Sequence, residues 1–542
     1  MALLERGLWP KALPRRVEHG LGAAAALAAA STRLPALGTR QNVLQARIVG
    51  GGGAINAMLW CRPTDHDIVA GLGHSYTKHV QSYLRLVEGR VAAPPPPRVV
   101  AAWAGLVPEV VAQARRDAPA ARQDARGLVR ATRISCVAGR RQSPAQLLLE
   151  TTAEAEAAET AAAQAVASVV KQAEARSAMA ETASTPAPAS ASSHVEKVTI
   201  PRSPISSRTG GNDPLPNVPL RAAAEAIAAA AAAASPHSPL RPGVDLVPGV
   251  EAESIELDSE GRATAVLTAD GRRFTGRRGI ILAGGAIETP ALLLRSGIGP
   301  PDVLQRAGLP CRHALEGVGQ NLSDHVLLND YAVLHPTERV LAAPAAAEYD
   351  MPFQVHDAVG NAVQLSVSRL VDDPLAWKLF AEFRYPVWRL ARVAARRYMR
   401  VQLKLTNDAA RGRVVLNGRH RPQLDMSPTL SHARRHRDDL VSELVSLQAR
   451  MDTLVEAGGA RLESVFRETL LRRPADYLWS GYHYAGTCGV GTVLEEETMA
   501  VKGLEGLYVA DPSAANVTST GNSQALAYFC GHACGERLAE TV

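Results

Sequence analysis

Hydrophobic and polar positions fall into three patterned stretches, roughly 40–90, 243–330 and 400–538, separated by sequence with little periodicity. In the second, Gly279-Ile280-Ile281-Leu282-Ala283-Gly284-Gly285 is a short apolar run closed by glycines, the pattern of a strand buried in a parallel sheet. Ile287 to Leu294 follows as a predicted helix with Pro290 in its first turn, where a missing N–H is tolerated. In the third, Gly506-Leu507-Tyr508-Val509-Ala510-Asp511 is a second such run, and Ser523 to Leu538 reads as the helix after it. A strand ending at Asp511, a polar loop and a helix make a place where α/β proteins hold ligands. The expected fold class is α/β, with a doubly wound parallel sheet.

The stretch 151–240 has no such pattern. From Thr151 to Ser193 it is nearly all Ala, Glu, Gln, Ser and Thr, closing with Thr185-Pro186-Ala187-Pro188, and Pro201 to Pro242 adds Pro, Ser and poly-Ala. It is expected to be a low-complexity insertion that joins little core. Pro94-Pro95-Pro96-Pro97 reads as a short stiff spacer.

Composition narrows the classes. With 542 residues, 46% apolar and 21% charged, the chain is long enough for more than one core and is not disordered as a whole. The scarcity of aromatics (Phe 6, Tyr 11, Trp 6) fits an insertion outside the cores. The net charge of +6 is dispersed apart from Arg396-Arg397 and Arg434-Arg435-His436-Arg437, so no phosphate-tracking stripe forms and nucleic acid is not an expected partner. The six cysteines include no Cys-x-x-Cys pair, which argues for buried reduced thiols rather than a zinc site or disulfide framework, and no metal is expected. No run of 18 strongly apolar residues occurs, so no transmembrane segment is expected; Ala222 to Ala234 is mostly alanine and carries Glu225. Lys11, Arg15, Arg16 and the alanines of 23–30 have the composition of an organellar transit segment, which leaves the compartment open between soluble intracellular and organellar.

Several motifs in fixed order resemble the glucose-methanol-choline (GMC) family of FAD-dependent oxidoreductases. The first is Arg47-Ile48-Val49-Gly50-Gly51-Gly52-Gly53-Ala54-Ile55-Asn56-Ala57-Met58, followed by Asp65-His66-Asp67 and Ser75-Tyr76. The second runs from Gly284 through Glu288-Thr289-Pro290 to Ser296-Gly297-Ile298-Gly299-Pro300, with Gly317-Val318-Gly319-Gln320-Asn321-Leu322-Ser323-Asp324-His325 behind it. The third is Tyr482-His483-Tyr484-Ala485-Gly486-Thr487-Cys488, then Asp511-Pro512-Ser513 and Gly521-Asn522-Ser523-Gln524. A glycine run alone also suits a tight turn under a helix, and a single histidine is more often structural than catalytic; position within the ordered set distinguishes these residues.

The resemblance implies an FAD-binding Rossmann-like domain interleaved with an α+β substrate domain on an antiparallel sheet. It divides the chain into FAD-binding segments at 1–93, 241–325 and 479–542, a cap segment at 98–150 and the substrate domain at 326–478. It further implies hydride transfer from the CH–OH group of a small-molecule alcohol to flavin N5, with His483 as base and Asn522 orienting the hydroxyl. Gly51, Gly52, Asn56, Ala57, Asp511, Pro512, Ser513, Asn522 and Ser523 would contact FAD, and Glu5 would hold the adenosine ribose. The electron acceptor and the oligomeric state are left open, and a lyase-like or inactive relative with impaired FAD binding is the alternative.

Some positions depart from the family pattern. Met1-Ala2-Leu3-Leu4-Glu5-Arg6-Gly7 resembles the end of the family's second strand, so the first βα unit and its pyrophosphate cradle are expected to be missing and FAD to bind weakly or not at all. Gly20-Leu21-Gly22-Ala23-Ala24-Ala25 fits a phosphate-loop spacing, but no apolar strand precedes it. Thr406 and Asn407 stand where the photodecarboxylase branch has a Cys-Arg pair, and that chemistry is not favoured.

Overall fold

The computed structural model describes residues 2–6, 31–34, 36–37, 43–46, 59–95, 97–134, 136–137, 140–141, 244–335, 353–369, 397–405, 411–426, 435, 437–459, 461–464 and 467–541. The chain divides into two units, one of Met1–Pro10, Arg15–Glu150 and Ser238–Val542, the other of Lys11–Pro14 and Thr151–His237; all described residues belong to the first. Gly20–Ala25, Gly51, Gly52, Asn56, Ala57, the insertion 151–240, Thr406 and Asn407 lie outside the described residues.

The two apolar runs pair as a parallel ladder. Ile280–Leu282 lies beside Leu507–Val509 in the register Ile280 to Leu507, extended by Ile280 N–H donating to Gly506 O at 2.8 Å and Ala510 N–H to Leu282 O at 2.8 Å. Ala2–Glu5 pairs in parallel with Asp245–Pro248, which puts Glu5 opposite Pro248 at the strand end. Among the described residues each parallel pairing is two-stranded. Around the first ladder packs a core that includes Ile255, Leu293, Leu294, Phe529, Cys530 and Cys534. Cys530 and Cys534, one turn apart on the C-terminal helix Gln524–Thr541, are buried free thiols.

The helix after the first run spans Gly285–Arg295, two residues earlier than predicted, so Pro290 is interior rather than in the first turn. Proline cannot donate to the carbonyl four residues back, and that carbonyl, Ala286 O, instead accepts from Thr487 Oγ1 at 2.8 Å.

The second half is an antiparallel sheet of seven strands among the described residues. Its order is Arg461–Ser464, Val326–His335, Arg397–Leu405, Ala362–Arg369, Phe353–His356 and Val129–Ala131, with Trp479–Ser480 also on Val326–His335. Side chains alternate across a sheet, so directly paired residues share a face. One face carries Val355, Val363, Leu365, Val401 and Leu403, which pack with Val99, Trp103, Val110, Leu444, Met451 and Val455 of the helices Pro97–Leu106, Pro108–Asp117 and Arg437–Ala457. The other face carries Arg130, Gln354, His356, Gln364, Gln402 and Lys404. The helices over 97–117 were not expected from the sequence; the proline run marks a helix start, with Pro97 at the first position of one helix and Pro108 at the first of the next.

Candidate active site

Asp511, two residues past the strand Leu507–Val509, joins three segments. Its Oδ2 accepts from Gly285 N–H at 3.0 Å and Thr289 Oγ1 at 2.6 Å, and its Oδ1 from Ser513 N–H at 2.7 Å, capping the short turn Pro512–Ala514. Gly285 sits at φ 77°, a backbone conformation that a β-carbon would strain. Burial pushes the Asp511 carboxyl above its ordinary range, against the three hydrogen bonds that favour its ionised form. Asp511 and Ser513 are buried, and Asn522 and Ser523 are half-buried at the start of the helix Gln524–Thr541. At that start the Gln524 side-chain amide is buried, with neither its oxygen nor its nitrogen partnered among the described residues.

Two imidazoles meet edge to face beside this segment. His325 Nδ1 and His483 Nδ1 are 2.8 Å apart, with ring planes at 88°. Gly481 makes room, because a β-carbon there would stand 3.0 Å from His325 Cβ and 3.1 Å from His483 Nδ1. Tyr482, at φ 57°, holds a strained backbone one residue before His483. Asp324 fixes the turn: its Oδ1 accepts from His483 N–H at 2.9 Å and its Oδ2 from Ser480 Oγ at 2.6 Å. Burial raises the Asp324 carboxyl to about 7. Burial, with Lys404 and His356 nearby, lowers His325 to about 3, and burial together with His325 and Lys404 holds His483 well below the usual imidazole value, so both rings are neutral at neutral pH.

With both rings neutral, one Nδ1 donates and the other accepts across the 2.8 Å contact, so the tautomer of one ring fixes that of the other. In the arrangement where His483 holds its proton on Nδ1 and His325 accepts, His483 Nε2 is bare and can accept a proton.

Asn522 is oriented by the polar face of the sheet. Its Oδ1 accepts from Lys404 Nζ at 2.5 Å and from Gln354 Nε2 at 3.0 Å. An ammonium can only donate, so this atom is the amide oxygen, and the remaining group of Asn522 is its NH₂ donor. The structure thus brings His483 and Asn522 into one buried polar assembly with Asp324, His325, Gln354 and Lys404. His325 was part of a sequence motif without a role. Gln354 and Lys404 gave no local signal, because their partner lies more than a hundred residues on.

Two GMC oxidoreductase family models match the chain, over residues 159–327 and 408–531.

The chain belongs to the GMC oxidoreductase family.

It is 25% identical over 307 residues to oxygen-dependent choline dehydrogenase 1 of Chromohalobacter salexigens, covering 51% of this chain and 52% of that protein. It is 43% identical over 96 residues to oxygen-dependent choline dehydrogenase of Yersinia pestis, covering 17% of each. The chain therefore spans about half or less of the length of the curated relatives it matches. Its fold is shared with pyridoxine 4-oxidase from Mesorbium loti (TM-score 0.58, 16% identity, 99% of this chain and 94% of that one) and with a fungal aryl-alcohol oxidase (TM-score 0.55, 17% identity, 100% and 94%). A formate oxidase from Aspergillus oryzae, solved in a study of its FAD modification, superposes with TM-score 0.57 at 14% identity over 100% of this chain and 93% of that one.

This GMC oxidoreductase has the family's two-domain fold, and its cofactor is FAD. The unpartnered Gln524 amide at a helix N-terminus fits a flavin's polar ring edge, since donors and the positive end of the helix dipole converge there. Among the described residues no cluster of His, Cys, Asp or Glu could hold a metal ion, and no helix is long and apolar enough to cross a membrane.

Proposed function

We propose that the chain acts as an FAD-dependent oxidoreductase on the CH–OH group of an alcohol, with His483 as the base and Asn522 as the donor that orients the hydroxyl. FAD, when bound, supplies the hydride acceptor at N5. The observation that carries the reading is the 2.8 Å contact between His325 Nδ1 and His483 Nδ1: with His325 accepting there, His483 Nε2 is left free to take a proton. As the carbon gives up its hydride, the hydroxyl proton passes to Nε2 and a carbonyl product forms, so a hydride and a proton leave by separate routes. The Asn522 NH₂ group, turned outward because Lys404 and Gln354 hold its oxygen, donates to the reacting oxygen and stabilises its growing negative charge. Asp511, Pro512, Ser513 and Ser523 line the cofactor side of the same segment, and the same reading gives FAD contacts to Gly51, Gly52, Asn56 and Ala57 and the ribose to Glu5.

The test is anaerobic bleaching of the flavin absorbance by a panel of alcohols. Bleaching by at least one alcohol is expected, with His483→Ala slowing it by about 10²-fold or more. Undiminished bleaching in His483→Ala would remove the histidine from the role of base.

A further inference from the structure

The sheet face that anchors Asn522 carries more buried polar capacity than alcohol oxidation uses. Arg130 pairs directly with Gln354, and His356 lies across Ala362 from Lys404. Gln354 and His356 are fully buried, Gln364 is 3% exposed and Arg130 6%. Both ring nitrogens of His356, the Gln354 oxygen and both ends of the Gln364 amide have no hydrogen-bond partner among the described residues. Among the described residues Arg130 forms no ion pair, and its side-chain hydrogen bond is Nη1 to Thr520 Oγ1 at 3.5 Å, two residues from Asn522. Ala362 contributes only a methyl group between His356 and Lys404.

A buried guanidinium without a carboxylate is costly, and so are buried amide and imidazole groups without partners. All of these costs fall if a ligand brings a planar anion, because a carboxylate accepts two N–H groups of a guanidinium side by side and further bonds from an imidazole or amide N–H. A cationic alcohol would meet the same guanidinium as a like charge and be rejected.

We propose that this face selects the substrate, and that the alcohol taken by the site carries a carboxylate bound by Arg130 and His356. The inference rests on the reading of His483 and Asn522 as the reacting end. The three neutral-to-charged arms of the test keep the ring constant: 4-(hydroxymethyl)benzoate, 4-(hydroxymethyl)benzamide and a 4-(hydroxymethyl)-N,N,N-trimethylanilinium salt.

Isothermal titration of the FAD-loaded protein with each is expected to give the acid at least about tenfold tighter than the amide, and the cation weakest. Arg130→Gln is expected to bring the acid-to-amide ratio to about one, and Arg130→Lys to keep part of it. The comparison in the unaltered protein decides the charge class even if the variants fail to fold. Equal or weaker binding of the acid, no binding of any of the three, or a ratio unmoved by Arg130→Gln in folded protein would overturn the proposal, leaving a water-filled wall. Anaerobic bleaching run on the same samples separates the two readings. An acid that binds preferentially and leaves the flavin oxidised counts against alcohol oxidation alone, whereas bleaching with no preference for the acid counts against the selecting face alone.

Discussion

Gly481 is where a single missing methyl group lets two buried imidazoles meet. The gap it leaves lets His325 reach His483, and the proton shared between their Nδ1 atoms then ties the tautomer of one ring to that of the other. His325 is a positioning residue in this scheme, so its replacement should change turnover more than substrate binding. His325→Leu, which removes the acceptor for His483 Nδ1–H, should lower kcat by about 10²-fold with little change in KM, whereas His325→Gln offers an amide oxygen in its place and should restore part of the rate. Gly481→Ala should behave like His325→Leu, because the added methyl group pushes the rings apart. Stopped-flow flavin reduction checks all three, and a KM effect without a kcat effect would assign His325 to binding. The parts proposed for His483 and Asn522 come from the sequence, where each stands in a local motif. Those of His325, Gln354 and Lys404 were not legible there, because each depends on a partner that only the folded chain brings near.

At the scale of elements, the helix Gly285–Arg295 shows how two distant motifs depend on each other. Pro290 leaves the Ala286 carbonyl without its helical donor and Thr487 supplies one, while the neighbouring Thr289 hydroxyl ties the same helix to Asp511. Thr487→Val keeps the shape and loses the donor, so it should cost about 1–3 kcal/mol in chemical denaturation. In a Pro290→Ala background the helix makes its own bond to Ala286 O, and Thr487→Val should then cost less; equal costs in the two backgrounds would show that the hydroxyl does not serve that carbonyl. The helix itself was readable from its apolar spacing. Its start was not, because Gly284 and Gly285 read as the end of a strand while the folded chain uses Gly285, at positive φ, to donate to Asp511. The helices over 97–117 were hidden for a related reason: a proline run signals a spacer and a helix start equally well.

For the whole molecule, buried ionisable groups set the response to acid. His325 and His356 titrate at about 3 when folded, against about 6.5 in an unfolded chain, and His483 is shifted the same way. Between those values the unfolded chain binds protons that the fold refuses, so stability falls as pH drops from about 6.5 toward 3. Asp324, raised to about 7, opposes this: from about 7 to 4 it is protonated when folded and ionised when unfolded, which adds stability on acidification, and Asp511 acts in the same sense. The three imidazoles outnumber the two carboxyls, so the net change on acidification is a loss of stability. Urea unfolding at pH 7, 6 and 5 should show that decline, and His356→Gln should flatten it; a rise in stability over this range would mean the carboxyls prevail.

The long-range parallel pairing also has a consequence for synthesis. Ile280–Leu282 has its hydrogen-bonding neighbour, Leu507–Val509, at the far end of the chain, with the antiparallel sheet encoded in between. A nascent chain therefore completes the antiparallel sheet while the Ile280 strand still lacks this neighbour, and the pair closes only once Leu507–Val509 has left the ribosome. Elongation pauses or truncations beyond residue 480 should thus direct the protein toward chaperones or aggregates, with the antiparallel half already folded.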